Sequence, residues 1–362
     1  MHSRVMARRS LLSDRLLAAG FIRPGVLCRG VQLSRPALSR WPVSLPVALS
    51  GVLVEPLAWL QSALVRQRLE QVQLPDDPIV VIGHWRSGTT YLHQLLACDP
   101  TIATARNALT VAPQVALLLK PLLRRLLAWG MTPLRPIDAV PWGPDDPQED
   151  ELGIARLTMD TNMAGMAFPQ EYPFHFRRSV LESSSSFERS WLRFNRLTWL
   201  HDGAGKTQLL IKNSVHTARV PLLLRHFPRA RFVLLRRQPI DSIRSLVQVK
   251  QRLAALVGLQ APPDPVVQVE ETVAAHRQLL QAFEQTRHLI PAGQLLELEY
   301  EALVRDPEQA LRRIYDDLRL PSWPQASGPI RARIAKAGHY QADPVQLPAQ
   351  AEQRLQELVN QP

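Results

Sequence analysis

A chain of 362 residues with 46% hydrophobic content can bury a large core, and reads as one elaborated domain behind an N-terminal region. Two cysteines, Cys28 and Cys98, give no disulfide framework and no metal-ligand spacing; with no H-E-x-x-H or C-x-x-C pattern, no catalytic metal is expected. The net charge of +11 suits an anionic partner, but no nucleic-acid module is recognisable, which leaves a membrane surface as the better match.

Residues 1–74 read as an N-terminal extension. The first 40 residues hold eight arginines and one acid, Asp14. Such a basic, acid-poor start resembles a transit peptide, but no small-residue cleavage site follows a signal-type apolar run, so a cytoplasmic protein is expected. Residues 41–60 are apolar but carry Glu55 and three prolines, which argues against a transmembrane span. An amphipathic helix over residues 56–73 should lead into the first strand.

Residues 78–90, PIVVIGHWRSGTT, form the sharpest local signal. Ile79, Val80, Val81 and Ile82 are apolar and mostly β-branched, as in a parallel strand buried on both faces. Gly83 and Gly88 then enclose four residues, with Thr89 and Thr90 following. The spacing is that of a phosphate-cradling loop, G-x-x-x-x-G-K-[ST], with Thr89 where the lysine should stand. The glycines permit close backbone approach, so that successive N–H groups can face one anion. A helix beginning here adds its positive dipole end. Arg86, inside the loop, can donate two parallel hydrogen bonds to phosphate or sulfate oxygens. Without the lysine, ordinary ATP chemistry is disfavoured.

Residues 101–205 read as a largely helical insertion that builds an acceptor pocket. Its stretch 111–129 contains LLLKPLLRRLLAW, which could cap that pocket or lie in a membrane interface. Residues 168–176, FPQEYPFHF, suit an acceptor wall, with Glu171 and His175 as reserve proton acceptors. Further strands are expected over 209–212, 232–236 and 295–299, giving a parallel α/β sheet flanked by helices. Lys212 ends the first of these and is one of only five lysines. In the segment RFVLLRRQP a strand exits at Arg237, and Ser245 falls two turns into the following helix, so both can converge on one phosphate. The core is expected to span residues 75–325, with 326–362 packing around it and Gly338, His339 and Tyr340 covering a nucleotide.

Together these segments resemble the sulfotransferases that use 3′-phosphoadenosine 5′-phosphosulfate (PAPS). The loop is similar to that family's 5′-phosphosulfate loop, in the bacterial-type branch carrying R-S-G-T-T and related to tyrosylprotein sulfotransferases. Arg237, Pro239 and Ser245 resemble its 3′-phosphate motif, R-[DN]-P-x5-S, with Gln238 as a departure. Lys212-Asn213 resembles a K-[DN]-P strand exit with Ser214 in place of proline, and YEALVRDP from Tyr300 resembles a late Y-E-D-L-x-x-D-P segment. The resemblance runs from about residue 75 to about residue 320 in the expected order. It implies a P-loop-type sulfotransferase fold with PAPS held by Arg86, Ser87, Gly88, Thr89, Thr90, Arg237, Ser245 and Tyr300. Lys212 would stabilise the oxygen that leaves with PAP. Fixed cations and amides can suffice for sulfuryl transfer without Mg²⁺.

The proton acceptor is read from the residues nearby. The acidic cluster DDPQEDE resembles a P-x-E-D-E segment and offers Glu149 and Glu151, which could equally be an acidic helix start. His84 is the alternative within the loop. The acceptor itself stays open among lipid, glycan, metabolite and peptide, with the apolar insertion favouring a hydrophobic alcohol, and nothing specifies an oligomeric state. Two other readings share the features: a P-loop kinase or NTPase, and a non-catalytic nucleotide-binding protein at a membrane.

Overall fold

The structure is a computed structural model, and it describes residues 14–131, 142–337 and 345–360; the expected cover at Gly338, His339 and Tyr340 lies outside them. The chain forms two compact units, one from residues 1–73, 106–201 and 249–264, the other from residues 74–105, 202–248 and 265–362.

The second unit carries the sheet. Its five strands are β1 (Ile79–Ile82), β2 (Ile102–Thr104), β3 (Gln208–Lys212), β4 (Arg231–Arg236) and β5 (Leu295–Glu299), in spatial order β2-β3-β1-β4-β5. Every pairing is parallel. Four of these strands match the sequence expectation; β2 is an addition. It is only three residues long, and its register beside β3, with Thr104 opposite Leu210, comes from tertiary contact rather than a hydrophobic run.

β1 is buried at every position, as a central strand covered by helices on both faces should be. Ile79 and Val81 lie in one cluster with Leu92 and Leu96 of the helix Thr89–Leu96 and Leu311 and Ile314 of the helix Pro307–Asp317. A smaller cluster joins Ile243 and Val247 to Val269 and Val273 of the helix Pro265–Thr286 and to Leu355 near the C-terminus. Arg244 adds an ion pair to Glu352 in the same place.

Among its described residues the first unit is helical. Its longest element is Trp41–Gln71, a continuous helix of 31 residues that runs through Pro46 and Pro56. The helix therefore starts well before the expected residue 56. Each interior proline costs about 3 kcal/mol of helix stability. Burial of Val43, Val47, Ala58, Val65 and Leu69 along one side offsets that cost, at roughly 1.5–3 kcal/mol per large side chain. Gln61 fastens the same side: its Nε2 donates to the Pro113 carbonyl, and its Oε1 accepts from Leu117 and Leu118 N–H at 2.8 and 3.0 Å.

Candidate active site

Parallel strands deliver their carboxyl ends to one edge of the sheet, where ligands of open α/β sheets bind. Register fixes which residues arrive there together. Val81 stands opposite Lys212 on one side of β1, Ile82 opposite Leu234 on the other, and Arg236 opposite Glu299. The loop from Gly83, Lys212, Arg237 and Tyr300 thus leave four neighbouring strands at the same edge.

The loop has the backbone its sequence demands. Gly83 and Gly88 have φ of 132° and 90°, and Arg86, a non-glycine, has φ of 66°. A left-handed arginine costs on the order of 1–3 kcal/mol and persists only where its surroundings enforce it. A Cβ at Gly83 would strike the Leu235 carbonyl, and one at Gly88 would overlap the Tyr300 ring. The turn is closed by Ser87, whose N–H and hydroxyl both donate to the His84 carbonyl, at 3.3 and 2.7 Å. Gly83 N–H donates to Thr217 Oγ1 at 2.8 Å. Gly88 then caps the helix Thr89–Leu96, so the loop ends on a helix N-terminus; Thr89 is buried in its first turn and Thr90 is half-buried.

The two motifs meet. Arg86 Nε donates to Ser245 Oγ at 2.9 Å. Arg237 Nη1 donates to the Arg86 carbonyl at 2.8 Å, and its guanidinium sits 4.4 Å from the Tyr300 ring centroid. Buried Arg237 Nε has no hydrogen-bond partner among the described residues. Lys212 is buried at the end of β3, and Asn213 folds its side chain back to accept Val215 N–H at 3.0 Å. Asn213 thereby caps the turn that carries Thr217, which explains how Ser214 replaces proline without loss of the strand exit.

A model of the sulfotransferase family matches residues 78–325. The chain belongs to the sulfotransferase family. It is 27% identical over 312 residues, covering 85% of this chain and 80% of the relative, to omega-hydroxy-beta-dihydromenaquinone-9 sulfotransferase Stf3 of Mycobacterium bovis and, equally, of Mycobacterium tuberculosis. Two solved sulfotransferases share its fold. STF1 from Mycobacterium tuberculosis is 18% identical with a TM-score of 0.65, covering 95% of this chain and 92% of its own. STF9 from Mycobacterium avium is 20% identical with a TM-score of 0.62, covering 82% and 79%. This chain is a sulfotransferase with the α/β fold of its family, and the kinase reading falls away.

The sulfotransferase separates its candidate proton acceptors. His84 is buried in the loop, its ring edge-on to Trp85 at 5.5 Å and to His276 at 4.5 Å between centroids. His276, on the helix Pro265–Thr286, has its pKa pushed down to about 4, chiefly by burial and further by the neighbouring Arg277 charge. Glu149 and Glu151 belong to the helical unit. Glu149 precedes the short helix Asp150–Ile154, and Glu151 lies in its first turn, where a carboxylate complements the dipole. Glu151 is fully buried and accepts from Thr161 Oγ1 and Asn162 N–H, both at 2.6 Å.

The two reserve candidates also serve structure. Ser34 Oγ donates to Glu171 Oε2 at 2.8 Å and lies 2.7 Å from His175 Nε2, while Glu171 Oε1 accepts from Gln260 Nε2 at 2.8 Å. Burial lowers the His175 pKa, against a smaller opposing effect of Glu171. Among the described residues no group of three or more His, Cys, Asp or Glu side chains could hold a metal ion. Thr217 and His276 were not singled out in the sequence. Each is a lone polar residue without a motif, brought to the loop by a turn and a helix from elsewhere in the chain.

Proposed function

We propose that this sulfotransferase takes its sulfuryl group from PAPS and passes it in line to the hydroxyl of a hydrophobic alcohol, giving a sulfate ester and PAP without a metal ion. The observation that carries this reading is the joining of the two motifs, with Arg86 bonded to Ser245 and Arg237 bonded to the Arg86 carbonyl. A nucleotide with anions at both ends fits that arrangement, and the buried Arg237 Nε–H is a donor that a phosphate oxygen would satisfy.

PAPS brings a sulfuryl group activated by its bond to a phosphate, together with a 3′-phosphate handle. The amides of the loop from Gly88 to Thr90 and the Arg86 guanidinium hold the phosphosulfate end, on a turn that Ser87 closes. Arg237 and Ser245 hold the 3′-phosphate, with Tyr300 fixing the plane of Arg237. Lys212 donates to the bridging oxygen as its bond to sulfur breaks and negative charge develops there. His84 takes the acceptor's proton as the new oxygen–sulfur bond forms. The choice of His84 rests on its place in the loop itself, whereas Glu151 lies in the helical unit with its Oε1 accepting from Thr161 and Asn162. Glu149 is the remaining alternative.

A hydrophobic acceptor is supported by the Stf3 relatives, whose name gives an omega-hydroxy menaquinone derivative as theirs. On this reading the protein works in the cytoplasm, peripherally attached to a membrane. Incubating the purified chain with labelled PAPS and a long-chain alcohol, chelator present, should give a labelled sulfate ester and one PAP per ester. The absence of both the labelled product and a PAP-dependent rise in melting temperature would overturn the donor assignment.

A further inference from the structure

The helix Trp41–Gln71 is apolar on both sides. Its inward residues, Val43, Val47, Ser50, Ala58, Gln61 and Val65, are buried. At about 100° per residue, Trp41, Leu45, Leu49, Leu53, Leu60 and Leu64 fall on the opposite side, and all are exposed; Leu53 is 76% exposed. A helix on the surface of a water-soluble unit carries polar residues there. This outward stripe runs over about 24 residues, or about 36 Å. At about 10 Å width it approaches the largest apolar patch that an ordinary monomer exposes.

Charge decides what covers it. Between residues 41 and 69 the one acid is Glu55. It is neutralised by Arg23, whose Nε donates at 3.1 Å and whose Nη2 also pairs with it, and it accepts from Trp59 Nε1 at 2.8 Å. Arginines flank the stripe: Arg35 and Arg40 before it, with Arg40 donating to the Ala254 and Gly258 carbonyls, and Arg66 and Arg68 after it, with Arg66 paired to Glu70 at 3.1 Å. Exposed Trp41 and Trp59 supply the amphipathic rings that settle at headgroup depth. In the same unit the helix Lys120–Gly130 exposes Leu122, Leu126 and Trp129 beside Arg124 and Arg125. An apolar face with aromatic and cationic borders matches an anionic bilayer surface.

The helix has the length and apolar composition of a span, but protein occupies its inner side along its length. Ser50 Oγ accepts Phe21 N–H at 2.9 Å, a Cβ at Gly51 would strike the Ile22 carbonyl, and Gln61 holds residues 113–118. One side packed on protein and one side bare calls for lying in the interface plane.

We infer that the outward face of Trp41–Gln71 seats this protein on anionic membranes as an in-plane helix. The inference rests on the peripheral-membrane part of the reading above and not on the donor assignment.

Co-sedimentation of the full chain with phosphatidylcholine vesicles, with and without about 30% phosphatidylglycerol, tests it. The wild type should bind the anionic vesicles, more weakly at high salt. Leu49→Glu with Leu53→Glu should cut partitioning at least about tenfold while keeping the wild-type melting temperature and PAP-dependent stabilisation, which separates this test from that of the site. Arg66→Gln with Arg68→Gln should lessen the preference for phosphatidylglycerol. Brominated acyl chains should quench wild-type tryptophan emission, a readout that needs no variant. No binding to either vesicle, no quenching, or unaltered binding by the Leu49→Glu, Leu53→Glu variant would overturn the inference. So would a wild-type dimer that this variant converts to monomer, since the face would then be covered by a second copy.

Discussion

Two charged regions of the chain offer candidate site residues, the arginines of the loop motifs and the acids from Asp145 to Glu151, and the fold treats them differently. The arginines after β1 and β4 stand at strand ends in one sheet, with Arg86 and Arg237 tied through a serine hydroxyl and a carbonyl. The acids of the segment from Asp145 to Glu151 stand in the helical unit, and the best placed of them, Glu151, is buried with a threonine and a backbone amide as its partners. At the sheet edge the buried Arg237 Nε has no hydrogen-bond partner among the described residues. In the helical unit Glu151 Oε1 instead ties down the turn at Thr161 and Asn162. Residue type alone does not separate the two cases; the partners that the fold gives each side chain do.

The contrast breaks first at Arg237. Arg237→Ala should abolish detectable PAP binding, a loss of at least about 100-fold from the charged hydrogen bonds removed, read by titration calorimetry; intact affinity would sink the site. Next, His84→Gln should lower kcat about 100- to 1,000-fold with PAP affinity held within about threefold, whereas Glu151→Gln should keep turnover per folded molecule. The reverse result would return the proton-acceptor role to the helical unit.

Acid provides a third handle. His276 stays neutral in the fold down to about pH 4, while the unfolded chain takes up its proton near 6.5. Stability should therefore be full above about pH 6.5, fall as pH drops towards 4, and level below it, by about 3 kcal/mol in all. His276→Gln should flatten that part of the melting-temperature profile. A smaller effect, about 2 kcal/mol of stability, is expected from Glu151→Ala in urea unfolding, because the Thr161 and Asn162 donors lose a buried acceptor. Ser245→Ala should be mildest, weakening PAP by about five- to tenfold since Arg237 remains.

The same distinction governs what could be read from the sequence. Arg86, Arg237 and Ser245 were legible because each belongs to a motif whose spacing encodes a strand exit, a loop and a helix start. The strands behind them were legible as short apolar runs. Ile102–Thr104 was not, being three residues whose pairing is set by β3. The helix Trp41–Gln71 was cut short because Pro46 and Pro56 are strong local signals, and only tertiary burial outweighs them. Thr217 and His276 carry no local signal, because what makes them relevant is proximity to Gly83 and His84 across long stretches of chain.

Tyr300 has a consequence of its own. Its ring lies against the Arg237 guanidinium and fills the space where any side chain at position 88 would begin. One aromatic residue far along the chain therefore restricts which residues the loop after β1 can accept. Positions 88 and 300 should drift as a pair: with Gly88 already at a φ of 90°, even alanine there would need both a strained backbone and a smaller neighbour at 300. Such coupling makes the loop's glycine an inherited constraint of the helix that follows β5 as much as a property of the loop.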